Sequence, residues 1–498
     1  MRQSGDLAET AQGRLQGFHN GRCLFFGGIP YAASTAGSGR FRPPSPAKPW
    51  SGVRAAAYPG PITSQNPTRF DPFIGPDPRR QSEDSLSLNV WTPNLDDAKR
   101  PVYVWIHGGA NVSGAGSFPL YDGSSFAQNG DMVCVTINYR LGERGFLHLA
   151  HIDESYDTSG NSALLDALAA LQWVKENIAF FGGDPDQVTL GGQSAGGNAI
   201  TGLMMMPEAT GLFHRAIIQS ASFNGFRNIS VAEETTNVFM AAAGASSIPE
   251  LENAPIEVLL AAQRATMPSR PIWDGSIFRP VVDNALFHKD AVPALLDGEL
   301  PDIPVIIGFT SEEWNPFHFF LKPEDVPGDE KSLIEFFDKV TGDGKDVVKT
   351  YQELVGNPGT VKLFSMILSD MRWRAPTLGF AELLSKWQDV YAYEFTWRSP
   401  TNNKLLGAGH CVELPFCFHN MSTPSTPYLI GSDAPVSLAD SMHQSWINFI
   451  RNGSPGHEAT GEWSKYSPDN RTTMMFDETS AAQNDAFADR RKYWDGQI

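Results

Sequence analysis

One stretch limits the folds open to this chain more than any other: Val188-Thr-Leu-Gly-Gly-Gln-Ser-Ala-Gly-Gly197. A short apolar run, Val188 to Leu190, leads into Gly192-Gln193-Ser194-Ala195-Gly196, and the residues from Asn198 onward read as a helix. Strand, sharp turn and helix in that order form the setting of a nucleophile elbow. The serine of such a turn is strained, and strand and helix approach closely enough to demand small residues on both sides of it. Ser194 would then stand at a helix N-terminus, where unpaired backbone N–H groups face any oxyanion formed beside it. In a chain with 46 glycines a Gly-x-Ser-x-Gly pentapeptide also arises by chance, so the reading depends on partners elsewhere.

The surrounding pattern is α/β. Val102-Tyr-Val-Trp-Ile106 and Met132 to Ile137 are near-continuous apolar runs, as strands covered on both faces require. Leu86-Ser-Leu-Asn-Val-Trp91 alternates like a half-buried strand. From Ala163 to Phe180, Leu164, Leu165, Leu168, Leu171, Val174 and Ile178 recur at helical spacing. Strands alternating with helices predict a doubly wound, mostly parallel sheet flanked by helices. Near the N-terminus, Asn20-Gly21 predicts a type I′ turn in a hairpin from Leu15 to Phe26. Residues 57–80 are proline-rich and read as an irregular loop. Stretches of roughly 230–300 and 320–388 read as helical insertions, separated by the strand Pro304-Val-Ile-Ile-Gly308. A further strand, Val390 to Phe395, precedes a glycine-rich loop, and a helix from Ala439 to Arg451 ends at Asn452-Gly453. With no repeat or long linker, the expectation is one catalytic domain over residues 1–498.

A serine hydroxyl needs a base, and the base needs an orienting acid. With a nucleophile elbow the chain order is serine, acid, histidine, the acid lying just past a strand. Glu312 and Glu313 both follow the strand ending at Gly308. His318, His410, His419, His443 and His457 all come later. His410, in Gly407-Ala-Gly-His-Cys411, hangs in a loop after the strand ending at Phe395, where a base could reach the serine; position alone leaves the choice open. Ile106-His-Gly-Gly-Ala-Asn111 follows a buried strand, and Gly108 and Gly109 can turn their N–H groups inward, with Ala195 N–H as a third donor. Phe223, Phe226, Trp314, Phe317, Phe319 and Phe320 are candidates for an aromatic substrate pocket, or for ordinary core.

A net charge of −18 repels phosphate backbones and argues against a nucleic-acid partner. No run approaches the roughly 18 apolar residues of a membrane span, and the first ten residues lack a signal-peptide core. The four cysteines, Cys23, Cys134, Cys411 and Cys417, show no metal or redox spacing. The expectation is a cytoplasmic protein that uses neither metal nor cofactor and acts on a small molecule.

The chain resembles the type-B carboxylesterases, the family that includes the cholinesterases. The resemblance is carried by Phe26-Gly-Gly-Ile-Pro-Tyr-Ala32, Ser82-Glu-Asp-Ser-Leu-Ser-Leu-Asn-Val-Trp-Thr-Pro93, Asn138-Tyr-Arg-Leu-Gly-Glu-Arg-Gly-Phe146, Asn177-Ile-Ala-Phe-Phe-Gly-Gly-Asp-Pro185 and the elbow. It implies an α/β-hydrolase fold and a serine esterase with Ser194 as nucleophile, Glu313 as acid and His410 as base. His410 matches through His410-Cys-Val-Glu-Leu-Pro-Phe416. Three departures matter. Ser85 and the region of Thr63 lack the cysteines of the family's usual first disulfide, which agrees with a reducing compartment. No tryptophan lies between residues 63 and 85, so a cation–π platform for choline is missing there. Gln193 stands where cholinesterases carry glutamate. The resemblance therefore implies a neutral carboxylic ester as substrate, with aryl carbamates or other xenobiotic esters as the alternative. A non-catalytic adhesion protein of the same fold is disfavoured, since such members lose the serine. The Gly108-Gly109-Ala110 start also resembles esterases that accept esters of tertiary alcohols.

Overall fold

The computed structural model describes residues 6–68, 70–71, 80–221, 226–269 and 276–496. An eleven-stranded sheet forms its centre. In chain order the strands are β1 (Phe18–His19), β2 (Leu24–Pro30), β3 (Ser87–Thr92), β4 (Arg100–Ile106), β5 (Val133–Ile137), β6 (Gly183–Gln193), β7 (Arg215–Gln219), β8 (Val305–Thr310), β9 (Val390–Phe395), β10 (Thr472–Phe476) and β11 (Ala481–Asn484). Side by side they run β11-β10-β9-β8-β7-β6-β4-β5-β3-β2-β1. The ladders from β5 across to β10 are parallel. Antiparallel pairs finish both edges. The parallel centre puts the carboxyl ends of β4, β6, β7, β8 and β9 along one rim, the usual place for a site in an α/β sheet.

Strand alternation sorts the core into two layers. Val102, Val104 and Ile106 of β4 join Val133, Val135, Ile137, Val188 and Leu190 on one face. Tyr103 and Trp105 join Cys134, Ile217 and Ile306 on the other. Successive side chains point to opposite faces, so a strand buried on both sides must be apolar throughout. Helix α1 (Ser162–Asn177) covers the first layer with Leu164, Leu168, Leu171 and Val174. Helix α3 (Val436–Asn452) covers the second with Trp446, Phe449 and Ile450 and ends at Gly453 in the left-handed region, φ 76°. Between them in sequence, helix α2 (Ala195–Met204) follows directly on β6.

Between 230 and 300 the chain forms helices Ile229–Ala243 (its start lies one residue earlier), Ile248–Asn253, Ile256–Thr266 and Ala291–Leu296. Between 320 and 388 it forms Glu330–Thr341, Gly344–Val355, Thr360–Ser369 and Ala375–Leu384. A π-helical turn, Asp370–Arg374, joins the last two.

One local expectation fails. Phe18 pairs Phe25 and His19 pairs Leu24, so the hairpin forms, but its loop is not the two-residue turn read from Asn20-Gly21. Only Gly21 has positive φ (93°). Asn20 instead accepts the N–H groups of Arg22 and Cys23 on its side-chain oxygen, both at 2.9 Å, and closes a longer loop with its own N–H on Cys23 O. The asparagine acts through side-chain hydrogen bonding rather than backbone conformation. In the proline-rich stretch, Ile62–Thr63 pairs in parallel with Gln81–Ser82. Among the described residues no helix is long and apolar enough to cross a membrane.

Candidate active site

Strand β6 ends at Gln193, Ser194 adopts φ 58°, ψ −122°, and α2 begins at Ala195. Ser194 N–H donates to Gln219 O at the end of β7 (2.8 Å), and Ser194 O accepts from Asn198 N–H of α2 (3.0 Å). The turn leaves no room for side chains at its flanks. A Cβ on Gly196 would lie 2.1 Å from Ile106 O, and one on Gly192 would lie 2.7 Å from the Gly196 backbone. The small residues are therefore the condition for this strained serine, which is the shape expected of an elbow.

The loop after β4 lies against the serine. A Cβ on Gly108 would stand 3.1 Å from Ser194 Cβ and 2.7 Å from Gln193 O. Gly109 (φ 121°), Ala110 (φ 53°) and Asn111 (φ 62°) carry the chain through a tight left-handed bend. Both glycine carbonyls are engaged within the loop. Gly108 O accepts from His107 Nδ1–H at 2.7 Å, and Gly109 O accepts from Val112 N–H and Ser113 N–H at 3.0 and 3.1 Å. His107 stacks on Tyr139, with centroids 4.5 Å apart, and Tyr139 OH donates to His107 O. Burial pushes the His107 imidazole down to about 4, so it supports the loop as a neutral donor.

The other side chains come from distant sequence. The loop after β9 brings in His410, and the turn after β8 brings in Glu313; both are buried. His410 Nδ1–H donates to Glu313 Oε2 at 2.5 Å, while Glu313 Oε1 accepts from Thr310 N–H at 2.8 Å. The neighbouring Glu312 is spent differently: it pairs with Arg398 at 3.1 Å and accepts from Ala408 N–H at 3.0 Å. With its Nδ1 proton on Glu313, His410 keeps a lone pair on Nε2, and the Gln193 amide donates to it at 3.1 Å. The other end of that amide accepts from Cys411 Sγ–H at 3.5 Å. The remaining candidate histidines go elsewhere. His443 Nδ1–H donates to Cys417 O, His457 Nε2–H to Ser441 O, His419 pairs with Asp440, and His318 meets Ser365 Oγ.

Of the aromatic candidates, Phe317 lies beside His410, with centroids 5.4 Å apart, and Trp314 is stacked behind Phe317 at 5.2 Å. Phe70 meets Phe317 and Phe320 at 5.7 and 4.6 Å. Phe226 instead packs edge-on to Phe287 and over Gly202 of α2. Phe223 lies outside the described residues. Sequence reasoning missed Trp373, whose ring is 5.5 Å from His410 and stacked on Phe317 at 5.4 Å. Its indole N–H donates to Ser220 O at 3.1 Å. The π-turn that presents it is anchored by Asp370, which accepts from Tyr351, Arg374 and Arg490 at 2.6 to 2.9 Å. Burial alone would raise the Asp370 carboxyl, but the Arg490 and Arg374 guanidiniums hold it below its ordinary range.

Cys23, Cys134, Cys411 and Cys417 are all free thiols. Among the described residues no group of three or more His, Cys, Asp or Glu side chains could hold a metal ion.

Three comparisons bear on this geometry. The profile described as "Carboxylesterase family" matches residues 4–494. Para-nitrobenzyl esterase of Bacillus subtilis (strain 168) is 34% identical over 494 residues, covering 98% of this chain and 98% of that protein. Phenmedipham hydrolase of Pseudarthrobacter oxydans is 34% identical over 489 residues, 95% of this chain and 96% of that protein. Among solved structures, a carboxylesterase of Geobacillus stearothermophilus superposes with a TM-score of 0.88 at 37% identity, over 98% of this chain and 100% of that one.

Proposed function

The chain belongs to the carboxylesterase family and is a carboxylic ester hydrolase of α/β-hydrolase fold, and we propose that it cleaves neutral small-molecule esters through Ser194, His410 and Glu313 by way of an acyl-enzyme. The observation carrying this reading is the 2.5 Å contact of His410 Nδ1 with buried Glu313, in a chain whose strained elbow serine closes β6; at Nε2, Ser194 Oγ takes the place of the Gln193 amide. As Ser194 Oγ attacks the ester carbonyl, its proton passes to His410 Nε2, and Glu313 stabilises the imidazolium. The tetrahedral oxyanion is met by the N–H groups of Gly108, Gly109 and Ala195. Each such donor contributes about 3 kcal/mol at the transition state. His410 returns the proton to the leaving alkoxide oxygen. Water then attacks the acyl-serine by the same route, and Ser194 is restored.

Two features support an alcohol side that is neutral and roomy. Gln193, beside His410, is uncharged, and the Gly108 and Gly109 carbonyls are tied back into their own loop; we infer that this makes room for a branched alcohol carbon. A second reading, hydrolysis of aryl carbamates, draws on the Phe317 and Trp373 rings beside His410, where an aryl leaving group would stack. We place the protein in the cytoplasm, where its four free thiols would persist.

A substrate panel tests the reading, with Ser194→Ala as the blank. Expected are brisk n-butyl acetate turnover, slower but Ser194-dependent tert-butyl acetate turnover, and no large kcat/KM advantage of butyrylcholine over 3,3-dimethylbutyl butyrate. A tert-butyl rate no higher than the blank, or a strong choline preference, would contradict the proposed alcohol pocket. Higher kcat/KM for aryl carbamates than for every ester would favour the second reading.

A further inference from the structure

A second buried carboxyl lies behind the first. Glu413, three residues after His410, opens the short helix Leu414–Cys417 and is fully buried. Its oxygens are poorly served. Oε1 accepts from Gln219 Nε2–H at 3.4 Å, and Oε2 has no hydrogen-bond partner among the described residues. Glu313, by contrast, receives two short donors, from Thr310 N–H and His410 Nδ1–H. Two carboxyls sharing a dry interior do not both ionise readily, and the negative charge settles on the one with better donors.

The contact with Gln219 is set by its neighbours. Trp446 Nε1–H, which can only donate, binds Gln219 Oε1 at 3.2 Å and turns the amide nitrogen toward Glu413 and Cys417. The backbone oxygen of the same Gln219 holds Ser194 N–H. One residue thus ties the elbow to the loop that carries the base.

We propose that Glu413 is a positioning residue of the hydrolytic site, a carboxyl whose neutral form leaves Glu313 as the lone anion orienting His410. The proposal rests on the assignment of Glu313 and His410 given above. The groups facing Glu413 are Glu313 from the turn after β8, Cys411 from its own loop, Cys417 from its own helix, Tyr393 from β9 and Tyr121 from the turn Pro119–Tyr121. His410 stands beyond Glu313, and α3 contributes Trp446, with His443 at Cys417 O. Burial pushes both thiols and both phenols up, so they stay neutral through the working range. Burial, and then the charge of Glu313, push the Glu413 carboxyl up to about 8. When it ionises, its proton goes to solvent and two carboxylates face each other. Their repulsion loosens the 2.5 Å hold of Glu313 on His410, and the base loses its orientation.

The experiment is the pH profile of kcat/KM for p-nitrophenyl butyrate with wild type, Glu413→Gln and Glu313→Gln, together with the infrared C=O band of a protonated buried carboxyl. Wild type should lose activity with a midpoint of about 8, falling about tenfold one pH unit above it. The infrared band should fade at the same midpoint. Glu413→Gln, permanently neutral and isosteric, should lack both that band and the alkaline fall, so that its kcat/KM at high pH holds at its own neutral-pH value. An unchanged alkaline fall in Glu413→Gln would overturn the proposal, as would a wild-type band absent at neutral pH. The wild-type measurements stand even if the variant fails to fold. Near-native activity in Glu313→Gln would instead refute the acid–base assignment on which the proposal rests.

Discussion

Around Ser194 the site is built from backbone and glycine, whereas around His410 it is built from long buried side chains tied by hydrogen bonds and ion pairs. In the first half the proposed working groups are a hydroxyl and three N–H donors, set by Gly108, Gly109, Gly192 and Gly196, where an added Cβ meets backbone within about 3 Å. The second half gathers Glu313, His410, Trp373 and Glu413 from three separate connections, and its order comes from Asp370, Arg374, Arg490 and Gln219. The first half is intolerant of added volume. The second is sensitive to lost partners and to protonation.

The largest expected effect separates the halves by what is measured. His410→Ala should lose at least about 10⁴-fold in kcat while keeping a cooperative thermal transition, because the cavity it leaves is bordered by rigid aromatic rings. Gly196→Ala should lose that transition or the soluble protein itself, since backbone at Ile106 cannot give way by the distance required. A Gly196→Ala enzyme with wild-type Tm would remove the distinction between the halves.

Acid stability is the next expectation, and here the halves should behave alike. His107 supports the loop after β4, and His443 lies beneath the helix after His410; burial pushes each imidazole down to about 4. Both therefore stay neutral when folded, while the unfolded chain binds their protons from about pH 6.5 downward. Stability should fall as pH drops from about 6.5 toward about 4, by about 3 kcal/mol per histidine. Urea unfolding across that range measures the slope. His148, His214 and His318, also pushed down by burial, add to the same slope, so His443→Gln, which keeps an amide donor for Cys417 O, should remove only its own share; an unchanged slope would show that His443 is charged when folded.

The smallest expected effect concerns the aromatic wall. Trp373→Leu should lower kcat/KM for aryl esters by about threefold to tenfold relative to alkyl esters, the worth of one stacking contact. Equal losses for both would make Trp373 part of the framework and not a surface that the leaving group meets.

The same difference governs how much the sequence revealed. The serine half is written in contiguous residues: a strand, a turn of small residues and a helix can be read together because local sterics allow little else. The proposed acid could be narrowed only to Glu312 and Glu313 by position. The structure separates them, giving Arg398 and Ala408 N–H to the first and His410 to the second. Trp373 was invisible because a π-helical turn has no periodicity of its own, and its place depends on Asp370 meeting Arg490 from the helix Ala488–Trp494. Glu413 stood within the quoted His410 motif, yet its environment comes from Gln219 and Trp446, far away in sequence. Asn20-Gly21 misled for the opposite reason: the dipeptide supports two loop geometries, and asparagine's side-chain hydrogen bonds chose the longer one.

The central claim is that Ser194 is the group acylated during turnover, and covalent labelling tests it most directly. Wild-type protein treated with a fluorophosphonate and digested should carry one adduct per chain, on the peptide containing Ser194, with esterase activity lost in proportion to labelling. Ser194→Ala should take up no label and show no ester hydrolysis beyond its residual background. A Ser194→Ala protein that keeps near-native turnover, or inactivation that follows labelling at another residue, would contradict the account.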